Sequence, residues 1–307
     1  MKAIFTTRYG EPGVLKLVEV DKPTPKKNEV LIHIKTIAVT SGDCRMRAFN
    51  PPYWYFSIPM RLMLGIFKPR KPIQGLWLSG VIEKIGENAN KFKTGQQIYA
   101  RTLDLKFGAN AEFICLPENC ILGLKPTNLS FEESVSIPFG GMTALHFLKK
   151  VNIKKGDKVL IYGASGSVGI AAVQLGKYYG AEIHGVCSTG NIDLVRYNGA
   201  DYVINYKEKN ITDLSEKFDI VFDAVGKINK SIAKKILKEG GRFVSVYSSG
   251  HAQGGSKELD YMTELAEKGI LKPVIDKIYP FEQIVDAHKY VDAGHKKGNV
   301  VLTLNEK

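Results

Sequence analysis

Residues 158–180 read KVLIYGASGSVGIAAVQLGKYYG: a short apolar run, a glycine-rich turn, then apolar residues at helical spacing. Strand, turn and helix in that order begin a βαβ unit, and such a turn is where a dinucleotide's pyrophosphate can be held. Against G-x-G-x-x-G the fit is partial. Ala164 stands at the first glycine, Gly166 and Gly169 hold the other two, and Gly163 lies one residue earlier. Gly166 is expected to let the backbone approach a pyrophosphate, and Gly169 to let helix and strand pack closely. The expected cradle is Gly163, Ala164, Ser165, Gly166, Ser167, Val168 and Gly169, with the unpaired N–H groups of the helix start facing the phosphates. The plainer alternative is a tight turn with no ligand.

Outward from this stretch, residues 129–265 keep the same rhythm. KVLIYGA, AEIHGVC, DYVINY, FDIVFDAV and GRFVSVYS are short apolar runs, with helix-like segments such as VGIAAVQLGKYYG and NKSIAKKILKEGG between most of them. Continuous apolar strands alternating with helices predict a parallel sheet covered on both faces, a doubly wound domain. An NAD site usually has a carboxylate at the end of its second strand to hold the ribose 2′-OH. Here AEIHGVCSTGN ends in Cys187, Ser188 and Thr189. Hydroxyls without a negative charge favour a 2′-phosphate, with Arg196 as the cationic partner or, equally, as an ordinary solvent-facing helix residue.

Before this region the texture differs. From Met1 to Pro126, KAIFTT, LKLVEV, EVLIHIKTIAV, LSGVIEKIG, QQIYAR and AEFICLP are β-like runs broken by Gly and Pro, which predicts a mostly antiparallel β domain. The tail from Gly269 offers a strand KPVIDKIYP, a helix IVDAHKYVDAG and a strand GNVVLTL, a texture suited to returning to the first domain. The expected division is 1–126, 127–268 and a returning segment 269–307. A chain of 307 residues is long enough for two cores.

Composition excludes several classes. The net charge of +12 is spread over separated pairs such as Lys26/Lys27 and Lys234/Lys235, with no basic amphipathic helix, so no nucleic acid is expected as a partner. Cys44, Cys115, Cys120 and Cys187 lack C-x-x-C spacing, and the six His show no metal spacing, so neither disulfides nor zinc are expected. The N-terminus reads as a strand rather than a signal peptide, and the expected location is cytoplasmic. The run PPYWYFSIPMRLMLGIF (51–67) is interrupted by Pro59 and Arg61 and is too short to span a bilayer. Its alternatives are core packing or the wall of an apolar pocket. Ser165, in G-A-S-G-S, is not a hydrolase nucleophile elbow.

Taken together, NEVLIHIKTIAVTSGDCRMR, KFKTGQQIYA, GANAEFICLP, SIPFGGMTALHFL, the 158–182 stretch, GADYVINY, FDIVFDAVG and GHKKGNVVL resemble the medium-chain dehydrogenase/reductase superfamily. More narrowly, the chain is similar to its zinc-free, zeta-crystallin-like quinone oxidoreductase branch. The resemblance covers nearly the whole chain. It implies an α/β fold with an N-terminal GroES-like β domain and a Rossmann domain. It also implies a groove between the domains for NADPH, with NADH as the alternative, and hydride transfer to a quinone or an α,β-unsaturated carbonyl. Zinc-dependent members carry a Gly-His-Glu motif and a four-Cys lobe; here Gly75 is followed by Leu76 and Trp77, where relatives often place an acid at position 77.

Carried over by position, Thr143 resembles the residue that meets the nicotinamide ribose, and Tyr206 the tyrosine near the adenosine phosphate. Val225 and Gly226 end the fourth strand beside the nicotinamide, and Ser248 follows the fifth. Thr40 and Asp43 lie in the first loop of the catalytic domain, where relatives often have Asn at position 40, and a structural salt bridge is the alternative role for Asp43. Tyr53 and Tyr55 are candidate hydrogen-bond or proton donors, although phenols titrate far above neutral pH. Relatives commonly place Lys or Arg where Gly190 stands. They also follow the fifth strand with a sixth that pairs across a homodimer axis, whereas GRFVSVYSSGHAQGGSKELDYMTEL runs from strand to helix almost at once. Two rival readings remain at this level. One is a protein that binds NADPH without turning it over; the other is an S-adenosylmethionine-dependent methyltransferase, disfavoured by the β domain in front and the missing acid.

Overall fold

The structure is a computed structural model, and it describes residues 1–50, 57–103 and 107–304. The chain divides into two units, Met1–Ser136 with Ile275–Lys307, and Ile137–Val274.

The first unit begins with β1 (Lys2–Thr6), β2 (Leu15–Glu19) and β3 (Glu29–Val39), followed by helices α1 (Ser41–Ala48) and α2 (Ser57–Leu64). Strands β4 (Trp77–Ile85), β5 (Gln97–Arg101), β6 (Phe113–Pro117) and β7 (Leu122–Leu124) complete its first part. Helix α3 (Phe131–Lys150) then carries the chain into the second unit. That unit holds β8 (Lys158–Tyr162), α4 (Ser167–Tyr178), β9 (Glu182–Cys187), α5 (Ile192–Tyr197) and β10 (Tyr202–Asn205). It continues through β11 (Phe218–Asp223), α6 (Lys230–Ile236), β12 (Leu237–Ser245) and α7 (Ser256–Glu267). The tail returns to the first unit as β13 (Ile275–Pro280), α8 (Ile284–Asp292) and β14 (Asn299–Thr303).

In the first unit a seven-stranded sheet runs β13-β14-β3-β4-β5-β7, with β6 also paired to β3. Strand β3 is the hub. It pairs antiparallel with β4, β6 and β14, placing Val300 opposite Val39 and Thr303 opposite Thr36. Its Ile32, Ile34 and Ile37 are buried with Leu78, Ile98, Phe281, Ile284 and Leu302 in one core. Each such side chain contributes about 1.5–3 kcal/mol on leaving water.

The second unit is a five-stranded parallel sheet in the order β10-β9-β8-β11-β12. Strands β8, β9 and β11 are buried almost end to end, as expected of strands covered on both faces. Ile183 meets α4 at Gly176, while Val186, on the opposite face of β9, packs with Leu160, Val221 and Ile236 of α6. The sequence reads NKSIAKKILKEGG as one helix, but α6 stops at Ile236 and β12 begins at Leu237, which pairs with Phe218. Gly240 and Gly241, poor helix formers, lie in the resulting irregularity before Arg242 rejoins the ladder opposite Ile220. Among the described residues β12 is one edge of the sheet, and the next regular element is α7.

Candidate functional site

The glycine turn joins β8 to α4, and each of its glycines has its own reason. Gly163 takes a left-handed φ of 80°, and a Cβ there would stand 2.5 Å from Val225 Cγ1. The turn glycine is therefore Gly163, one residue before the pattern's first position, which lets Ala164 sit buried in its place. A Cβ on Gly169 would lie 2.1 Å from the Gly163 carbonyl oxygen, so α4 could not approach the turn with any larger residue. Gly166 differs: its φ of −82° suits any residue, and a Cβ would meet only the Gly163 oxygen at 3.6 Å. Its smallness serves no internal contact.

Gly166 is also the N-cap of α4 and has no side chain with which to cap it. An uncapped start of a twelve-residue helix, beside an open glycine, fits the pyrophosphate of a dinucleotide. The turn is held from below by Gly163 and Ala164 N–H groups donating to the Val186 carbonyl at 3.1 and 3.0 Å. It is held from the side by α3, where a Cβ on Gly140 would strike the Ser167 carbonyl oxygen at 2.4 Å. Three residues on, Thr143 donates its hydroxyl to the Phe139 carbonyl at 2.6 Å, which leaves its oxygen able to accept.

Asn191, which the sequence reading passes over, ties the turn to the tip of β9. Its Nδ2 donates to Ser165 Oγ at 3.1 Å and to Ser188 Oγ at 3.2 Å. Thr189 is held in turn by Asn205 Nδ2 at 2.9 Å. Asn and Ser clustered after a second strand are the signal that could have marked these residues. Arg196 is 64% exposed and pairs with the fully exposed Asp193 at 3.6 Å along α5, the arrangement of a solvent-facing helix residue.

Cations come from elsewhere. Tyr206, just beyond β10, stacks on Tyr162 with ring centroids 6.2 Å apart. The two rings line a cavity of about 460 Å³ with Lys209, Thr212, Lys227 and Ile228. Its lining contains two lysines and no acid. Lys209 and Lys227 follow the third and fourth strands of the unit, and a basic residue at a parallel strand's carboxyl end is the signal that finds them.

Asp223 shapes the loop bearing Lys227. It is fully buried at the end of β11, and its Oδ1 accepts the Val225, Gly226 and Lys227 N–H groups at 3.1, 2.9 and 3.2 Å. Its Oδ2 accepts from the Ile228 N–H and the Ser245 hydroxyl. Loss of the carboxylate would strand several donors at about 1–3 kcal/mol each. Ser248 is exposed just past β12, next to Ser249, whose hydroxyl accepts the Ser245 N–H at 2.9 Å. The structure thus gathers Gly163–Gly169, Ser188, Thr189, Tyr206, Val225, Gly226 and Ser248 at the carboxyl end of one parallel sheet, where such sheets bind ligands.

In the first unit, Thr40 and Asp43 prove to start a helix rather than lie in a loop. Thr40 is the N-cap of α1, and with Asp43 it forms a capping box. The Asp43 carboxylate accepts from the Thr40 N–H at 2.9 Å and from its hydroxyl at 2.5 Å. This carboxylate thus caps the helix. The signature T-x-x-D ahead of α1 is legible in T40-S-G-D43. Asp43 is 5% exposed, and burial raises its pKa to about 6 against the lowering effect of the Thr40 bonds. Tyr53 and Tyr55 lie outside the described residues.

Residues 26–126 match the family model described as the alcohol dehydrogenase GroES-like domain, and residues 167–270 match that of the zinc-binding dehydrogenases. Among the described residues no three His, Cys, Asp or Glu converge as metal ligands would. The chain is 34% identical to the 2-methylene-furan-3-one reductase of Solanum lycopersicum, covering 98% of this chain and 79% of that protein. It is 31% identical to the chloroplastic NADPH-dependent alkenal/one oxidoreductase of Arabidopsis thaliana, with the same coverage. The quinone oxidoreductase of Coxiella burnetii superposes with a TM-score of 0.83 at 24% identity, over 99% of both chains.

Proposed function

Because the chain belongs to the medium-chain dehydrogenase/reductase superfamily, in its quinone oxidoreductase-like branch, and is an NAD(P)H-dependent oxidoreductase, we propose that it takes NADPH and works without zinc. The acceptor we assign is a quinone or the β-carbon of an α,β-unsaturated carbonyl. When bound, the dinucleotide supplies a hydride from its nicotinamide.

The observation that carries the choice of NADPH is the cavity lined by Tyr162, Tyr206, Lys209 and Lys227, together with the absence of an acid at Ser188 and Thr189. Cations and hydroxyls favour a ribose phosphate, whereas a carboxylate would repel it. The start of α4 holds the pyrophosphate, Asn191 and Asn205 fix the hydroxyls of Ser188 and Thr189, and Asp223 shapes the loop at Val225 and Gly226. Thr143 offers its oxygen to the nicotinamide ribose. With no metal to polarise the acceptor, catalysis rests on placing donor and acceptor in reach. The names of the tomato and Arabidopsis relatives favour enones for the acceptor.

The test is a panel of quinones, enones and aldehydes, each offered with NADPH and with NADH. NADPH oxidation with enones or quinones, several-fold faster than with NADH, supports the assignment. Tight NADPH binding without oxidation by any acceptor would count against it.

A further inference from the structure

From Cys44 to Ile82 the chain has no acidic residue, while Arg45, Arg47, Arg61, Lys68, Arg70 and Lys71 fall within that span. Helix α2 and residues 65–71 lie at its middle. One side of α2 is fastened: Leu64 is buried, the Arg61 guanidinium lies 4.1 Å from the centroid of the Phe49 ring, and the Tyr9 hydroxyl donates to the Gly65 carbonyl at 3.0 Å. The described residues of the other side are exposed. Ile58 and Leu62, one helical turn apart, are 74% and 58% exposed, and Ile66 and Phe67 just beyond are 49% and 88% exposed. Lys68, Arg70 and Lys71 stand exposed beside them.

We propose that α2 and residues 65–71 dock onto an anionic lipid surface. Four large apolar side chains held outward within ten residues are a concentration that a monomer's surface rarely shows, and they are fringed by charge of one sign. An eight-residue helix cannot span a bilayer, but with its far side anchored to the protein it can lie along the interface. The apolar side chains enter the headgroup boundary, and the lysines and arginine pair with lipid phosphates and carboxylates. A second copy fits the patch poorly, because two-fold pairing through it would bring two clusters of Lys68, Arg70 and Lys71 into one interface with no acid from residues 44–82 to pair with them.

The test is flotation of the full chain with vesicles of phosphatidylcholine alone and of phosphatidylcholine with phosphatidylserine. Binding is expected to the anionic vesicles and to weaken as salt rises. Lys68→Gln/Arg70→Gln/Lys71→Gln, at exposed positions, should lower the partition coefficient by about fivefold per cation removed. Ile58→Ser/Leu62→Ser/Phe67→Ser should abolish binding, with thermal unfolding of both variants confirming that they fold. No binding to either vesicle, or equal binding to both, would overturn the proposal. So would a concentration-dependent dimer, seen by light scattering, that the serine variant alone dissolves.

Discussion

Lys209 and Arg196 offer two different sources of charge for a ribose phosphate. Arg196 is engaged with Asp193 on the solvent side of α5, whereas Lys209 lines the same cavity as Tyr206. A charged hydrogen bond contributes about 1.5–3 kcal/mol, so Lys209→Ala should weaken NADPH binding by roughly tenfold or more and leave NADH unchanged. Arg196→Ala should change neither; fluorescence titration of the two variants with both dinucleotides checks this. Two buried groups of the first unit set a pH signature of opposite sign. His288, whose Nδ1 lies 3.4 Å from Cys44 Sγ, is driven down to a pKa of about 3 by burial and then by the nearby Arg47. It therefore costs stability as pH falls from its ordinary 6.5 toward 3. Asp43 is raised from 3.8 to about 6, so its contribution is favourable below pH 3.8 and is lost as pH rises through 6. Denaturation of wild type and Asp43→Asn at several pH values should show the variant gaining relative stability between about pH 4 and 6. A constant difference across that window would contradict the raised carboxyl.

At the scale of elements, the glycine turn separates two kinds of smallness. Gly169→Ala places a methyl group against the Gly163 carbonyl and should lower stability by about 1–3 kcal/mol, read by urea denaturation. Gly166→Ala meets nearly open space, so the fold should keep its stability while dinucleotide affinity falls about tenfold. Loss of stability without loss of affinity in Gly166→Ala would remove the cradle. The strand, turn and helix of this region were legible because β8 and α4 differ sharply in period, and the turn's glycines stand where the period changes. Helix α1 was missed because its eight residues carry two arginines and little apolar periodicity, so only the T-x-x-D cap announces it. The start of β12 was misread for the opposite reason. ILKEGG continues a good helical pattern, and only pairing of Leu237 with Phe218, a contact distant in sequence, turns it into strand.

For the whole molecule, the α/β class and the parallel sheet were legible from repeated apolar runs, because burial on both faces writes itself into composition. The cations at the cavity were passed over, since Lys209 and Lys227 look like ordinary surface lysines until their place after β10 and β11, at the same end of the parallel sheet, is taken into account. The acceptor is less legible still: Tyr53 and its aromatic neighbours, the candidates the sequence offers for it, sit in a run whose composition suits core, pocket and interface alike. The central claim, transfer of a hydride from NADPH to a conjugated acceptor, is tested most directly by following the hydride itself. NADPH carrying deuterium at the reactive nicotinamide carbon is supplied with an enone, and the reduced product is read by NMR. The account predicts deuterium on the β-carbon and a solvent-derived hydrogen on the α-carbon. Product with no deuterium, or cofactor bound and never oxidised, would contradict it.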